Sequence, residues 1–390
     1  MRSVTILGAT GSIGQNTLDL ISRAPGDFRV EALTGARNIV QLARDAVRLR
    51  ARLVVTSEPE LYIDLKALLA GVDVEIAAGA GAVADAASRP ADWVMSAIVG
   101  AAGLVPGLKV LQRGGTLALA NKETLVTAGP LVMAAAQAHG GRILPVDSEH
   151  SAIFQALTGE DIAGVERLII TASGGAFRDW PLDQLAQATL AQASSHPNWA
   201  MGQRITIDSA SMFNKGLELI ETKEFFGVHP DKIEVIIHPE SLIHALVGFT
   251  DGALMAHVGP PDMRHAIGYA LHWPERRHLP VKRLDLAEIG ALTFRAPDHA
   301  RYPALALARR VMDQGGLMGA VFNAAKERAL DGFIAGQIGF LQMAEVVEAV
   351  MDKMSVQDGL QNAALTLDNV LNTDRLARIR AAETIAQAGR

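Results

Sequence analysis

Val4-Thr5-Ile6-Leu7 is a short, β-rich, apolar run that leads directly into Gly8-Ala9-Thr10-Gly11-Ser12-Ile13-Gly14, and a helix-like segment follows from Asn16 to Arg23. Few folds begin this way. Glycines spaced G-x-x-G-x-x-G between a strand and a helix permit a tight turn and bring backbone N–H groups close to a pyrophosphate at the helix N-terminus. The loop predicts a dinucleotide-binding α/β domain at the start of the chain, with Gly8, Thr10, Gly11, Ser12, Ile13 and Gly14 around the cofactor.

Strand and helix patterns continue to alternate. Strand-like Phe28 to Leu33 precedes helix-like Ile39 to Leu49. Leu53-Val54-Val55, Val72 to Ile76, Trp93 to Ile98, Thr116 to Ala120 and Gly141 to Val146 complete the set. Near-continuous apolar strands between helices indicate a parallel, doubly wound, Rossmann-like sheet, covered on both faces. Ligands bind such sheets beyond the carboxyl ends of the strands. Three segments fall there: Val99 to Gly103 (with Ala101), Asn121-Lys122-Glu123 and Asp147-Ser148-Glu149. They are expected to crowd beside the cofactor. An NAD enzyme commonly places an acid at the end of the second strand, about 20 residues past the glycine loop, to bind the ribose 2′-hydroxyl. Here that region reads Thr34-Gly35-Ala36-Arg37-Asn38, with no acid. An arginine there suits a 2′-phosphate, a charge-assisted contact of roughly 1.5–3 kcal/mol, so the expected cofactor is NADP(H).

Composition narrows the chemistry. The 390 residues contain no cysteine, which excludes disulfides, thiolate nucleophiles and Cys-ligated metal. Any metal must take oxygen or histidine ligands, which favours Mg²⁺ or Mn²⁺. The net charge of −6 carries no global basic footprint for nucleic acid. No apolar run reaches the roughly 18–20 residues of a membrane span, and the start of the chain has no apolar signal core, so a cytoplasmic enzyme is expected. Against this background the stretch Leu144 to Phe154 stands out. Asp147 and Glu149 lie two apart, and in an extended segment both carboxylates point to the same side. Such a pair suits a hard cation or acid/base work.

Further on, Arg167 to Thr171 is strand-like and runs into Ser173-Gly174-Gly175, a turn able to hold an anion through backbone N–H groups. Ser194 to Gly202 is polar and aromatic, like a mobile lid. Asp208 to Glu221 reads as one helix, with Asn214, Lys215 and Glu218 near one face. Ile233 to Ile237 is a strand, and His244 to Val258 reads as a hairpin. From Tyr302 onward apolar residues recur at three- and four-residue spacing, which predicts a helical bundle. The expected organisation is a cofactor domain at 1–146, an α+β catalytic domain at 147–273 with its lid at 194–202, a linker at 274–300 and a helical domain at 301–390.

Taken in order, Gly8 to Gly14, Leu119 to Val126, Pro145 to His150, His196 to Gly202 and Asn214 to Glu218 resemble the motifs of the 1-deoxy-D-xylulose 5-phosphate reductoisomerases, and the resemblance runs essentially end to end. It implies an NADP-dependent oxidoreductase of the non-mevalonate isoprenoid pathway. Such an enzyme converts 1-deoxy-D-xylulose 5-phosphate to 2-C-methyl-D-erythritol 4-phosphate with NADPH and Mg²⁺ or Mn²⁺, as a homodimer. The resemblance also implies roles. Asp147, Glu149 and Glu218 would bind the metal, and Lys122 and Ser148 would contact the substrate. Ser173, His196, Ser209, Asn214 and Lys215 would hold the substrate and its phosphate, with Gly174 and Gly175 adding backbone contacts. Trp199 would cover the substrate. Gly35, Ala36, Arg37, Asn38, Ala101, Asn121, Lys122, Glu123, Met201 and Gly202 would lie along the cofactor. Arg37 stands where the family often has lysine, and Ala36 where glycine is common. A semialdehyde dehydrogenase shares the general layout but needs a cysteine nucleophile. A metal-independent sugar dehydrogenase, or a non-catalytic NADP-binding regulator, would leave the three carboxylates without a purpose.

Overall fold

The computed structural model describes residues 1–199, 201–357, 360 and 363–388. Ala200, within the expected lid, and Gly389 and Arg390, at the end of the expected helical domain, lie outside the described residues. The first elements are β1 (Arg2–Leu7), α1 (Ser12–Ser22), β2 (Phe28–Gly35), α2 (Ile39–Leu49), β3 (Leu53–Thr56), α3 (Tyr62–Leu68), β4 (Glu75–Ala78), α4 (Ala80–Ser88), β5 (Trp93–Ser96), α5 (Leu104–Gln112), β6 (Thr116–Leu119), α6 (Glu123–His139), β7 (Arg142–Pro145) and α7 (Ser148–Ala156). There follow β8 (Val165–Ala172), α8 (Leu190–Ala193), α9 (Gln203–Ala210), α10 (Phe213–Phe226), β9 (Ile233–Ile237), β10 (Ile243–Phe249), β11 (Leu254–Val258), α11 (Met263–His272), α12 (Leu286–Ile289), α13 (Pro303–Gln314), α14 (Met318–Ile334), α15 (Gln342–Gln357) and α16 (Leu367–Ala388).

These elements form two compact units that interleave along the chain. One comprises Met1–Thr124, Val132–Ser151 and Asp262–Lys282; the other comprises Leu125–Leu131, Ala152–Pro261 and Arg283–Arg390. The sequence suggests boundaries at 146, 273 and 300, and the units divide after 151, 261 and 282. A break in local pattern marks a change of element, and it does not show with which core the next element packs.

The first unit holds a seven-stranded sheet of order β4-β3-β2-β1-β5-β6-β7. Its strands pair in parallel, as β1 does with both β2 and β5. The order reverses at β1, which makes the ends of β1 and β5 the switch point where a doubly wound sheet opens a crevice. Residues 3–7 of β1 and all of β5 are buried, as the apolar runs predicted. α11 returns from late in the chain, and the Trp93 indole donates to the Ala270 carbonyl at 3.0 Å.

The second unit is built on a four-stranded sheet of order β11-β10-β8-β9. β10 and β11 form the expected hairpin, and β9 runs parallel to β8. Its core joins Leu168, Ile170, Phe213, Leu217, Phe322 and Val347, so the late helices share one apolar interior with the sheet. Residues 125–131 of α6 also belong to this unit. α6 kinks there, at Ala128, with Pro130 lacking the N–H that a continuous helix would use. A Cβ on Gly319 of α14 would stand 1.9 Å from the Val126 carbonyl oxygen, a backbone atom that cannot swing aside. Gly319→Ala should therefore cost about 3 kcal/mol or more through overpacking, read as a lower denaturant midpoint at unchanged slope.

Two local expectations change. Asp208 to Glu221 is not one helix: α9 ends at Ala210, Met212 adopts a left-handed φ of 63°, and α10 starts anew. Asp147 and Glu149 are not in extended chain. Asp147 directly precedes α7, its backbone carbonyl accepts the Ser151 N–H at 2.8 Å, and Glu149 sits in the first helical turn.

Candidate active site

In the first unit the glycine loop makes a tight turn directly after β1. Gly8 takes φ of 87°, and a Cβ there would lie 2.5 Å from the Ala97 carbonyl oxygen. One on Gly14 would lie 2.3 Å from the Gly8 carbonyl oxygen. Only glycine permits both approaches. The loop is tied to β2 by Ala9 N–H to Thr34 O at 2.7 Å and Gly8 N–H to the Thr34 hydroxyl at 3.1 Å. Gly11 caps α1 in an extended conformation and has no side chain with which to cap the first N–H groups of the helix.

The three segments after β5, β6 and β7 do converge. The Asn121 amide donates to the carbonyls of Ile98 and Gly100 and to Glu123, and its oxygen accepts the Thr124 N–H at 3.1 Å. Asn121 thereby ties two of these loops together through their backbone. The next residue, Lys122, is buried and pairs with Asp147 at 2.6 Å. Burial by itself would raise the Asp147 carboxyl. The Lys122 ammonium and the His150 ring at 3.7 Å outweigh it and hold the group well below the usual carboxylate range. Carboxylate oxygens of Asp147 and Glu149 approach within 4.8 Å of each other, and the Ser148 hydroxyl donates to Glu149 at 2.5 Å. The two acids converge because a helix begins at Ser148, not because of strand alternation. Arg37 at the end of β2 is exposed and forms ion pairs with Glu58 at 3.2 Å and Glu60 at 3.6 Å.

In the second unit the break at Met212 opens α10 with Phe213, Asn214 and Lys215. Glu218 is fully buried; it accepts from the Asn214 amide and from Lys215 Nζ at 2.5 Å. The expected helical face is therefore real. The turn after β8 places Gly174 and Gly175 at φ of 88° and 67°. A Cβ on Gly175 would lie 2.6 Å from the Ser209 carbonyl oxygen, which seats this turn against the end of α9. Ser173 Oγ lies 2.9 Å from His196 Nε2, while His196 Nδ1 accepts the backbone N–H groups of Asn198 at 3.1 Å and Trp199 at 2.9 Å. An Nδ1 that accepts twice carries no proton, so Nε2–H donates to Ser173 and the imidazole is neutral.

Burial, with a contribution from the Arg178 guanidinium, lowers the His196 pKa to about 4. The unfolded chain then protonates first, so this group's contribution to stability is complete above pH 6.5 and is lost as pH falls from 6.5 towards 4. An NMR titration of the His196 ring should give a midpoint near 4; a midpoint at 6.5 or above would contradict the buried neutral form.

Several contributors carried no signal in the local pattern. Tyr302 donates its hydroxyl to the Gly174 carbonyl at 2.9 Å, and burial pushes that hydroxyl's pKa up to about 12. Lys326 of α14 is buried and pairs at 2.9 Å with Asp208, the residue before Ser209. The Asn198 amide reaches the Ser241 hydroxyl at 2.9 Å and the Pro239 carbonyl, which tethers the segment carrying His196 and Trp199 to the turn after β9. Nothing in the pattern of α14 singles out Lys326, because Glu327, Arg328 and Asp331 lie on the same helix.

A Ruegeria pomeroyi protein named 1-deoxy-D-xylulose 5-phosphate reductoisomerase is 69% identical over 387 residues, covering 99% of this chain and 98% of its own. The chain belongs to the 1-deoxy-D-xylulose 5-phosphate reductoisomerase family. Three models of this family match in succession: the reductoisomerase model at residues 4–129, and two C-terminal domain models at 143–226 and 258–380. The Zymomonas mobilis reductoisomerase, solved in complex with NADPH, is 46% identical and superposes with a TM-score of 0.92 over 98% of this chain and 99% of its own. A further reductoisomerase structure, with NADPH, fosmidomycin and magnesium, is 39% identical with a TM-score of 0.94, covering 99% of this chain and 98% of its own.

Proposed function

We propose that this chain carries out the family's reaction, the NADPH- and divalent-metal-dependent conversion of 1-deoxy-D-xylulose 5-phosphate to 2-C-methyl-D-erythritol 4-phosphate, with the residues described above. The observation that carries the assignment is the Lys122–Asp147 pair: a buried ammonium and an ionised carboxylate, 2.6 Å apart, after β6 and β7 of the sheet whose β1 leads into the dinucleotide loop.

Asp147, Glu149 and Glu218 would hold Mg²⁺ or Mn²⁺, for which an all-oxygen, anionic donor set is suited. Bound there, the metal supplies Lewis-acid polarisation of substrate oxygens. The chain's own residues do the rest. Lys122 and Ser148 orient the substrate, and the Lys122 ammonium stabilises negative charge developing on a substrate oxygen. The N-terminus of α10, with Asn214 and Lys215, joins Ser209 and the Ser173-Gly174-Gly175 turn in gripping the phosphate. Gripping it away from the reacting carbons supplies orientation. The neutral His196 donates to Ser173 and keeps that hydroxyl aimed, while Trp199 covers the substrate and excludes water. Gly8 to Gly14 would cradle the pyrophosphate, Arg37 would take the 2′-phosphate, and Ala101, Met201 and Gly202 would be cofactor-binding residues as the family resemblance implies.

We also propose a homodimer. β11 is an edge strand whose Leu254, Met255 and Val258 are 51%, 41% and 42% exposed, an apolar surface that a second copy would cover. No described helix is long and apolar enough to cross a membrane. A cytoplasmic location, with access to the NADPH pool, fits the reaction.

The direct test is NADPH oxidation with 1-deoxy-D-xylulose 5-phosphate, with and without Mg²⁺ or Mn²⁺. Metal-dependent oxidation that yields the branched product supports the assignment. Turnover that ignores a chelator would sink the metal site, and NADPH binding without turnover would sink the activity.

A further inference from the structure

The loop after β3 is built against the loop after β2 by a set of short contacts. Ser57 N–H donates to Gly35 O at 2.8 Å, the Thr56 hydroxyl donates to Ala36 O at 3.0 Å, and Glu58 N–H donates back to the Thr56 hydroxyl at 3.2 Å. The Ser57 hydroxyl donates to Glu58 Oε1 at 3.0 Å. That bond leaves Glu58 Oε2 aimed at Arg37 Nη2, 3.2 Å away, with Glu60 Oε1 at 3.6 Å from the same nitrogen. Glu58 is the more buried of the two, with its side chain 26% exposed against 58% for Glu60 and 77% for Arg37. The neighbouring Asn38 uses its side-chain oxygen to cap α2 through Gln41 N–H. The guanidinium proposed for the 2′-phosphate is thus already shared by two carboxylates.

We infer that Glu58, supported by Glu60, is a specificity-determining residue for the cofactor: it tempers the recognition of a 2′-phosphate at Arg37 and so sets how strongly the enzyme prefers NADPH over NADH. This rests on the assignment of Arg37 to the 2′-phosphate. A guanidinium has five N–H donors, and the acids engage Nη2, which leaves Nε and Nη1 to grip a phosphate oxygen. A 2′-phosphate held by Arg37 would add nearly two negative charges to a guanidinium that already faces Glu58 at 3.2 Å. Like charges sharing one guanidinium repel appreciably even in water, and salt screens the repulsion. NADH lacks the 2′-phosphate and is blind to the gate. The acids on the β3 loop therefore act on one cofactor and not on the other.

The experiment measures Kd for NADPH and NADH on the full-length protein with Arg37→Ala, Glu58→Gln and Glu60→Gln, at low and high salt. Glu58→Gln should lower Kd for NADPH by about 3- to 10-fold at low ionic strength, with the gain shrinking at about 0.5 M salt and NADH unchanged. Glu60→Gln should act in the same direction and less strongly. Arg37→Ala should raise Kd for NADPH alone. Unchanged or weakened NADPH binding in Glu58→Gln overturns the gate, because the acid would then be neutral or would preorganise Arg37. An Arg37→Ala variant that keeps full preference for NADPH overturns the 2′-phosphate assignment itself, whatever Glu58 does.

Discussion

Glu218→Gln is expected to cut kcat/KM by roughly a thousandfold or more while leaving NADPH binding intact. Lewis-acid stabilisation by a bound cation is worth several kcal/mol, and about 4 kcal/mol corresponds to a factor near 10³. Glutamine keeps the shape and the hydrogen bond from Asn214 but removes the negative charge that a hard cation requires. The residue lies in a fully buried position with Lys215 Nζ at 2.5 Å, so the exchange also unbalances an internal ion pair. Two measurements separate the effects. Calorimetric titration of Mn²⁺ reads metal affinity directly, and a denaturation curve reads stability. Loss of metal affinity with a folded protein supports the ligand role. A variant that binds Mn²⁺ like the parent and still turns over would remove Glu218 from the metal site.

Lys326→Ala should destabilise the protein by about 3–5 kcal/mol, the range for breaking one side of a buried ion pair. Asp208, at 8% exposure, faces that ammonium at 2.9 Å across 118 residues of chain. Truncation takes the cation away and leaves a cavity beside α9. Because Ser209 follows Asp208, the turn of helix that is proposed to meet the substrate phosphate loosens as well. KM for the substrate should rise by a larger factor than kcat falls. The double variant Lys326→Met/Asp208→Asn removes both charges at similar volume and should recover much of the stability, since replacing a buried pair outright is often close to neutral. Equal losses in the single and double variants would show that packing, not charge, is what the pair provides.

Much of this site can be read along the chain. The glycine loop announced its strand, turn and helix because each local preference agrees with the fold around it. Alternating apolar runs predicted a parallel sheet because strands covered on both faces have no polar side to show. Asn214, Lys215 and Glu218 were placed together by helical spacing alone, and the hydrogen bonds follow that spacing. Where the reading failed, the competing force was non-local or conformational. Nothing in Asp208 to Glu221 forbids a continuous helix, yet Met212 turns left-handed between α9 and α10. That break gives α10 a separate N-terminus directly before Asn214 and Lys215.

The donor chemistry was determined by the sequence. A chain with no cysteine and with acids at 147, 149 and 218 can offer a cation oxygen ligands, and an arginine in place of an acid after the second strand points to a phosphorylated ribose. The tertiary structure decided which charge faces which. Lys122 meets Asp147, Lys326 meets Asp208, and Arg37 meets Glu58 only because loops and helices distant in sequence pack side by side. Helical and strand periodicity report which face of an element is buried. The partner across that face depends on chain closure over tens of residues, and the strength of each pairing depends on how much water the packing excludes.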